Sequence, residues 1–205
     1  MVLKTTMTIE EKVKEVKKIY RRLDADVQRF KKETGLKCLR FCSHCCEKHD
    51  ITATVLEFLP LAYSLYKEDQ CEDYLRKLTE MEAADNHTCI LLTYPGKRET
   101  AGRCLAYKMR PMVCRLFGFS AVLDKNSRPQ LVTCREIKQK CSENYLKTVH
   151  ILETVETPAP MDVPIMKNYC MMLYGIDLSL AQKYYPLNEA IRMAIERVLS
   201  AFAYR

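Results

Sequence analysis

The stretch Cys38-Leu39-Arg40-Phe41-Cys42-Ser43-His44-Cys45-Cys46 places four cysteines within nine residues. A thiol that only fills a core needs no neighbour of its own kind. Thiols crowded this closely share a disulfide framework or a metal. Cys42 and Cys45 are separated by two residues, the spacing at which a tight turn lets two sulfurs converge on one ion. Cys38 precedes Cys42 by three intervening residues, within the looser range of such pairs. Cys45 and Cys46 are adjacent, so their side chains are expected to point in different directions. One then serves a first centre, and the other turns to a second metal atom or lies in the surroundings of the first.

Outward from this stretch, the whole chain has 205 residues, 11 cysteines and a formal charge of +7. That length reads as a single domain over 1–205. It divides into an N-terminal helix at 1–36, a cysteine-cluster core at 37–141 and a C-terminal helical part at 142–205. Such a chain buries a core without staples, so the cysteines are not needed to rescue a tiny fold. The N-terminus lacks an apolar core of signal-peptide length. No run approaches the roughly 18 apolar residues of a membrane span. The expected setting is cytoplasmic and reducing, where clustered cysteines favour metal over disulfides. The odd cysteine count also argues against a fully paired disulfide set.

The positive charge concentrates between Lys97 and Lys140, among the later cysteines. Cations there lower thiol pKa values and offset thiolate charge. A nucleic-acid surface is the competing reading, but no aromatic-interleaved or recognised nucleic-acid motif accompanies these residues.

Hydrophobic periodicity predicts a mainly α fold, with helices framing a loop-rich, cysteine-rich centre that contains short strands. Thr8 and Glu11 form a capping-box pattern. Ile9, Val13, Val16, Tyr20, Leu23, Val27 and Phe30 follow at helical steps, and Gly35 supplies a stop. This heptad-like stripe either docks on its own domain or pairs with a partner helix or a second copy. Thr54 and Glu57 open a second helix through Leu65 and Tyr66, with Pro60 expected to bend it or shift its start. A third spans Glu72 to Ala84, with Cys71 at its start. Short strands are expected at Leu116 to Leu123 and Leu131 to Cys134, around the turn Asp124-Lys125-Asn126-Ser127. Helices resume at Ser142 to Glu156, Ile165 to Tyr174 with a stop at Gly175, and Leu187 to Phe202. The methionines of the C-terminal part read as packing residues.

Cys89, Cys104 and Cys114 lie in the loop-rich centre, and Cys134 and Cys141 lie just beyond. Cys71 and Cys170 sit in helical patterns and read as structural. One tetrahedral zinc takes four ligands, so the surplus allows two ions, an iron–sulfur cluster, or one site with bystander thiols. Spacing does not choose between zinc and iron. His44, His49 and His87 read as polar loop residues. No hydrolase triad, P-loop or H-E-x-x-H pattern is present.

At these residues the chain resembles the YkgJ-type cysteine-cluster family, whose signature is C-x-x-C-x-x-C-C. Cys42-Ser43-His44-Cys45-Cys46 is similar to the end of that signature. Cys89-Ile90-Leu91-Leu92 is similar to its Cys-Pro-x-Leu element, with Ile90 in place of proline. Cys104-Leu105-Ala106-Tyr107 resembles its Cys-x-x-Tyr element. Arg110-Pro111-Met112-Val113-Cys114-Arg115-Leu116-Phe117 resembles its Arg-Pro-x-x-Cys-Arg-x-aromatic stretch. Cys38 departs from the pattern by one residue of spacing.

The resemblance implies chelation of zinc or iron and the label of an iron–sulfur oxidoreductase without a settled reaction. The metal candidates are Cys38, Cys42, Cys45, Cys46, Cys89, Cys104, Cys114 and Cys134. Arg110 and Arg115 flank Cys114 and are expected to donate hydrogen bonds to thiolates or cluster sulfides. Tyr107 is read as packing. The function expected is metal or iron–sulfur binding with a redox role. The competing expectation is a zinc-stabilised interaction module.

Overall fold

Residues 7–39, 42–94, 102–154 and 161–203 are described by a computed structural model of the chain. The elements run α1 (Ile9–Thr34), α2 (His44–Glu47), β1 (Thr52–Thr54), α3 (Val55–Lys67), α4 (Cys71–Ala83), β2 (Leu92–Thr93) and β3 (Arg103–Cys104). They continue with α5 (Met112–Leu116), β4 (Ser120–Leu123), β5 (Pro129–Val132), α6 (Arg135–Lys140) and α7 (Ser142–Thr154). The last are α8 (Met166–Ile176), α9 (Leu178–Ala181), β6 (Tyr184–Pro186) and α10 (Leu187–Phe202). The structure is mostly helical, and among the described residues the strands form three separate antiparallel pairs.

The expected capping box opens α1: Glu11 N donates to Thr8 Oγ1 at 3.2 Å, and Thr8 N donates to Glu11 Oε2 at 2.7 Å. Gly35 ends it at φ 71°, and a Cβ there would stand 2.6 Å from Asn144 Nδ2. The left-handed backbone therefore favours glycine, while the tip of the Asn144 side chain could move aside. The stripe from Ile9 to Phe30 is buried, with Val16, Leu23 and Phe30 at 0% exposure. It packs on the chain's own α3 and α8, as the own-domain reading of the stripe expected.

α3 lies between α1 and α10 and is buried along most of its length. Its start is fixed by the Thr54–Glu57 capping box. Pro60 does not displace that start, and the ring costs α3 one backbone hydrogen bond. In α10, Ala190 and Ala194 join Ile191, Ile195 and Val198 on the buried face, where small side chains allow close approach to α3. Phe202 stacks on Tyr66 with ring centroids 4.6 Å apart. β1 pairs with β6, Ala53 opposite Tyr185, and so ties the start of α3 to the start of α10.

Three expectations need correction. α8 runs through Gly175 to Ile176; nothing lies within 4 Å of a Cβ there, so glycine imposes no stop. The stop falls at Asp177, which caps α9 through Leu180 N and pairs with buried Lys12 at 2.6 Å. The second strand of the hairpin spans Pro129–Val132, because Cys134 already serves as N-cap of α6, a helix the periodicity did not reveal. Leu116 belongs to α5 rather than to the first strand. The expected end of the helix at Glu156 lies outside the described residues. Among the described residues, no helix is long and apolar enough to cross a membrane.

Candidate metal centre

α2 is a single turn that carries Cys45 and Cys46, opened by Cys46 N donating to Ser43 O at 2.7 Å. Ser43 is buried and donates to Glu47 Oε1 at 2.6 Å, where Tyr94 also donates at 3.1 Å. A Cβ on Gly102 would sit 2.8 Å from Ser43 Cβ and 2.5 Å from Leu92 Cδ1. Only glycine allows the β3 segment to lie this close to the Cys42–Cys46 stretch.

On this tight turn Cys46 donates its S–H to the sulfur of Cys45. That bond is the main reason the Cys45 thiol is lowered to about 6, with Arg110 assisting, while Cys46 is driven well up.

Cys89 N donates to Cys46 O at 2.8 Å, which fixes the Cys89 loop against α2. Leu92 N closes a turn onto Cys89 O at 2.8 Å, and Leu92 in β2 stands opposite Cys104 in β3. Asn188 at the start of α10 holds the same loop: it accepts from Ile90 N at 2.9 Å and donates to Thr88 O at 2.8 Å. Cys89, Cys104 and Cys46 are thereby brought together by backbone pairing at the edge of the apolar core, of which Cys89 is a buried member.

Cys114 arrives on α5. The buried Glu57 carboxylate accepts from Val113 N at 3.2 Å and from Met112 N, while its other oxygen accepts from Thr54 N at 2.9 Å. One side chain thus serves the N-termini of both α3 and α5. Burial pushes that carboxyl up, and these donors oppose the shift.

Arg115 is buried and engaged elsewhere than at sulfur. It pairs with Asp24 of α1, donates to Arg110 O at 2.8 Å and Lys108 O at 2.6 Å, and lies over the Tyr20 ring at 4.3 Å. Its role is to pin α5 to α1. Arg110 is the cation beside the thiols: it adds to the lowering of Cys45 and opposes the rise that burial imposes on Cys104 and Cys114. It also lies 3.7 Å over the ring of Tyr107, which is 61% exposed. Tyr107 is therefore a surface platform for Arg110, not a packing residue.

Burial pushes the Cys89 thiol up to about 11, and Cys104 and Cys45 add to it. Cys114 is pushed higher still, first by burial and then by Cys45, Cys89 and Cys104. These sulfurs share one electrostatic neighbourhood in which several bare thiolates would repel each other. A soft divalent ion reverses that balance. In kind and number the donors fit such an ion. They are gathered rather than converged: among the described residues, no three His, Cys, Asp or Glu side chains are arranged to hold a metal ion.

Of the remaining cysteines, Cys38 is exposed, and Cys42, Cys134 and Cys141 are half-buried. Burial raises the Cys38 thiol to about 11, and Cys42, Cys134 and Cys45 follow as causes, with Lys31 opposing. Cys134 accepts from Ile137 N at 3.5 Å as the cap of α6, and Cys141 Sγ lies 3.8 Å from Lys37 O. His44 Nδ1 stands 3.3 Å from Glu136 Oε1, and His87 pairs with Asp85. Cys71 is buried in α4, and Cys170 Sγ lies 3.5 Å from the Tyr184 hydroxyl.

Sequence reading missed Glu57 as the support of α5, Asp24 as partner of Arg115, and Asn188. Glu57 carried a visible signal as a capping residue. The other two act over 91 and 98 residues of chain, and no local pattern announces them.

The fold and this site define a helical protein organised around a cysteine-rich metal-binding segment. Residues 37–142 match the family CxxCxxCC, described as "Putative zinc- or iron-chelating domain", and the chain belongs to that family. No curated protein and no solved structure matches the chain significantly.

Proposed function

We propose that the cysteine region holds iron or zinc through thiolates. Cys45, Cys46, Cys89, Cys104 and Cys114 are the principal donors, and Cys38, Cys42 and Cys134 extend the set. The observation that supports this reading most is the shared neighbourhood of the first five, each acting on the charge state of others. Bound as an iron–sulfur cluster, the group would supply one-electron redox chemistry; bound as zinc, it would supply fixed charge and closure of the fold. Arg110 offsets the negative charge of the thiolates. Arg115 and Glu57 hold the Cys114 helix in place. Cys45 is the first thiol to ionise. A cytoplasmic, reducing setting keeps the donors available.

The test is elemental analysis with absorption spectroscopy on the full chain purified without oxygen. The redox reading expects iron with sulfide and visible bands bleached by dithionite. A colourless protein with stoichiometric zinc would exclude electron transfer and leave metal holding intact. Protein with neither metal would overturn the proposal.

A second reading, a zinc-stabilised interaction module, draws on the apolar rim beside the thiols, where Leu105 and Tyr107 are each 61% exposed. It expects chelation to unfold the cysteine region with no redox signal.

A further inference from the structure

α1 turns one face to the core and the other to solvent. From Lys14 to Lys32 nine of its residues are exposed, seven of them Lys or Arg and the other two Ala25 and Gln28. None is acidic. At about 100° per residue they share an arc of about 140°, and at about 1.5 Å per residue they run for about 27 Å. Glu15 and Asp26 stand beyond one edge of this arc, where they pair with Lys18, Arg22 and Arg29. Asp162 also reaches Arg29. Lys14, Lys17, Arg21 and Lys32 follow the midline and the opposite edge. Among the described residues these four form no ion pair with a carboxylate.

α4 shows what a face that only meets water looks like in this chain. Its exposed charges alternate in sign, and Arg76 bonds both Asp73 and Glu80 on neighbouring turns. The outer face of α1 lacks that internal balance. Its like charges repel each other and are relieved by a polyanion.

We propose that the outer face of α1 binds the phosphate backbone of double-stranded DNA, a role separate from metal holding and independent of it. Lys and Arg neutralise phosphates without apolar contact, which suits a face whose only apolar residue is Ala25. A protein interface needs an apolar core that this face does not offer. An anionic membrane takes up the apolar side of an amphipathic helix, and that side of α1 is buried on α3 and α8. The face carries no aromatic ring on which an unpaired base could stack. A helix of about 10–12 Å diameter matches the B-form major groove, about 12 Å wide, whereas the major groove of an RNA duplex is deep and narrow.

The test measures fluorescence anisotropy of a labelled, mixed-sequence DNA duplex titrated with the full chain as purified. Affinity is expected to fall on the order of 100-fold between about 50 and 200 mM salt, as neutralising four phosphates requires. K14Q/K17Q/R21Q/K32Q should weaken binding roughly tenfold or more at low salt and flatten the salt dependence. K125Q/R128Q/K138Q/K140Q removes the same charge from exposed positions of the other basic stretch and should change affinity far less. Circular dichroism and metal content check that both variants keep the fold. No binding by the wild-type chain at low salt overturns the proposal, as does a loss in the second variant equal to that in the first. Unlabelled RNA duplex or phosphatidylserine vesicles that displace the label better than unlabelled DNA overturn the assignment to DNA. None of these results touches the metal-holding reading.

Discussion

α1 buries an apolar side chain at almost every three or four residues, whereas among the described residues from Cys38 to Cys46 only Ser43 is buried outright. The two regions adjoin in sequence but are held by different forces. The α1–α3–α10 layer is assembled by periodic apolar faces removed from water. The cysteine region is assembled by backbone bonds such as Cys89 N to Cys46 O, by the buried anchors Glu57 and Arg115, and by thiols whose ionisation is costly without a cation.

The sharpest way to break this comparison is to damage the frame alone. Leu23→Ala removes a fully buried side chain of α1 that is outside the candidate donor set and is expected to cost about 3–5 kcal/mol in urea unfolding. Metal per folded chain should stay unchanged. A loss of metal in molecules that remain folded would show that the two regions are not separately held.

Glu57→Ala strikes the junction instead. It strands Thr54 N and Val113 N and should cost about 2–3 kcal/mol. Unlike Leu23→Ala, it should also weaken metal binding, because the helix that carries Cys114 loses its support. Unchanged affinity would assign Glu57 to the frame alone.

The pH dependence of the metal-free chain is a smaller effect confined to the cysteine region. Unfolded thiols ionise near 9.0, while folded Cys89 holds its proton to about 11 and Cys114 beyond that. Above pH 9 the folded state binds more protons than the unfolded one, so stability falls as pH rises. Cys45 acts in the opposite sense. Depressed to about 6, it contributes stability that is fully present above pH 9 and lost as pH falls through 6. Urea midpoints between pH 5 and 11 should show both slopes, and bound metal should flatten them. A flat metal-free profile would remove the thiols from the account.

The smallest expected effect tests a local correction. Gly175 lies inside α8 with open space around it, so Gly175→Ala should stabilise the chain by about 0.5–1 kcal/mol. Destabilisation would mean that the helix does need glycine there.

The same contrast explains what the sequence could reveal. Thr8, Glu11, the apolar stripe and Gly35 set both ends of α1, and Leu187 to Phe202 set α10, because caps and periodicity are local properties. Gly175 misled because a helix tolerates glycine wherever the real stop, here Asp177, lies beyond it. α6 escaped because Arg135–Lys140 has a single apolar residue, Ile137, and a cysteine as its cap. In the cysteine region the residue types were plain, and the structure brings Cys46, Cys89, Cys104 and Cys114 together. The partners that place them were hidden. Arg115 finds Asp24 and Ile90 finds Asn188 only after the frame has formed.

X-ray absorption at the edge of the bound metal, on the full chain purified without oxygen, tests the central claim most directly. Thiolate ligation predicts a first shell of sulfur, at about 2.3 Å for zinc. A first shell of nitrogen and oxygen would contradict it.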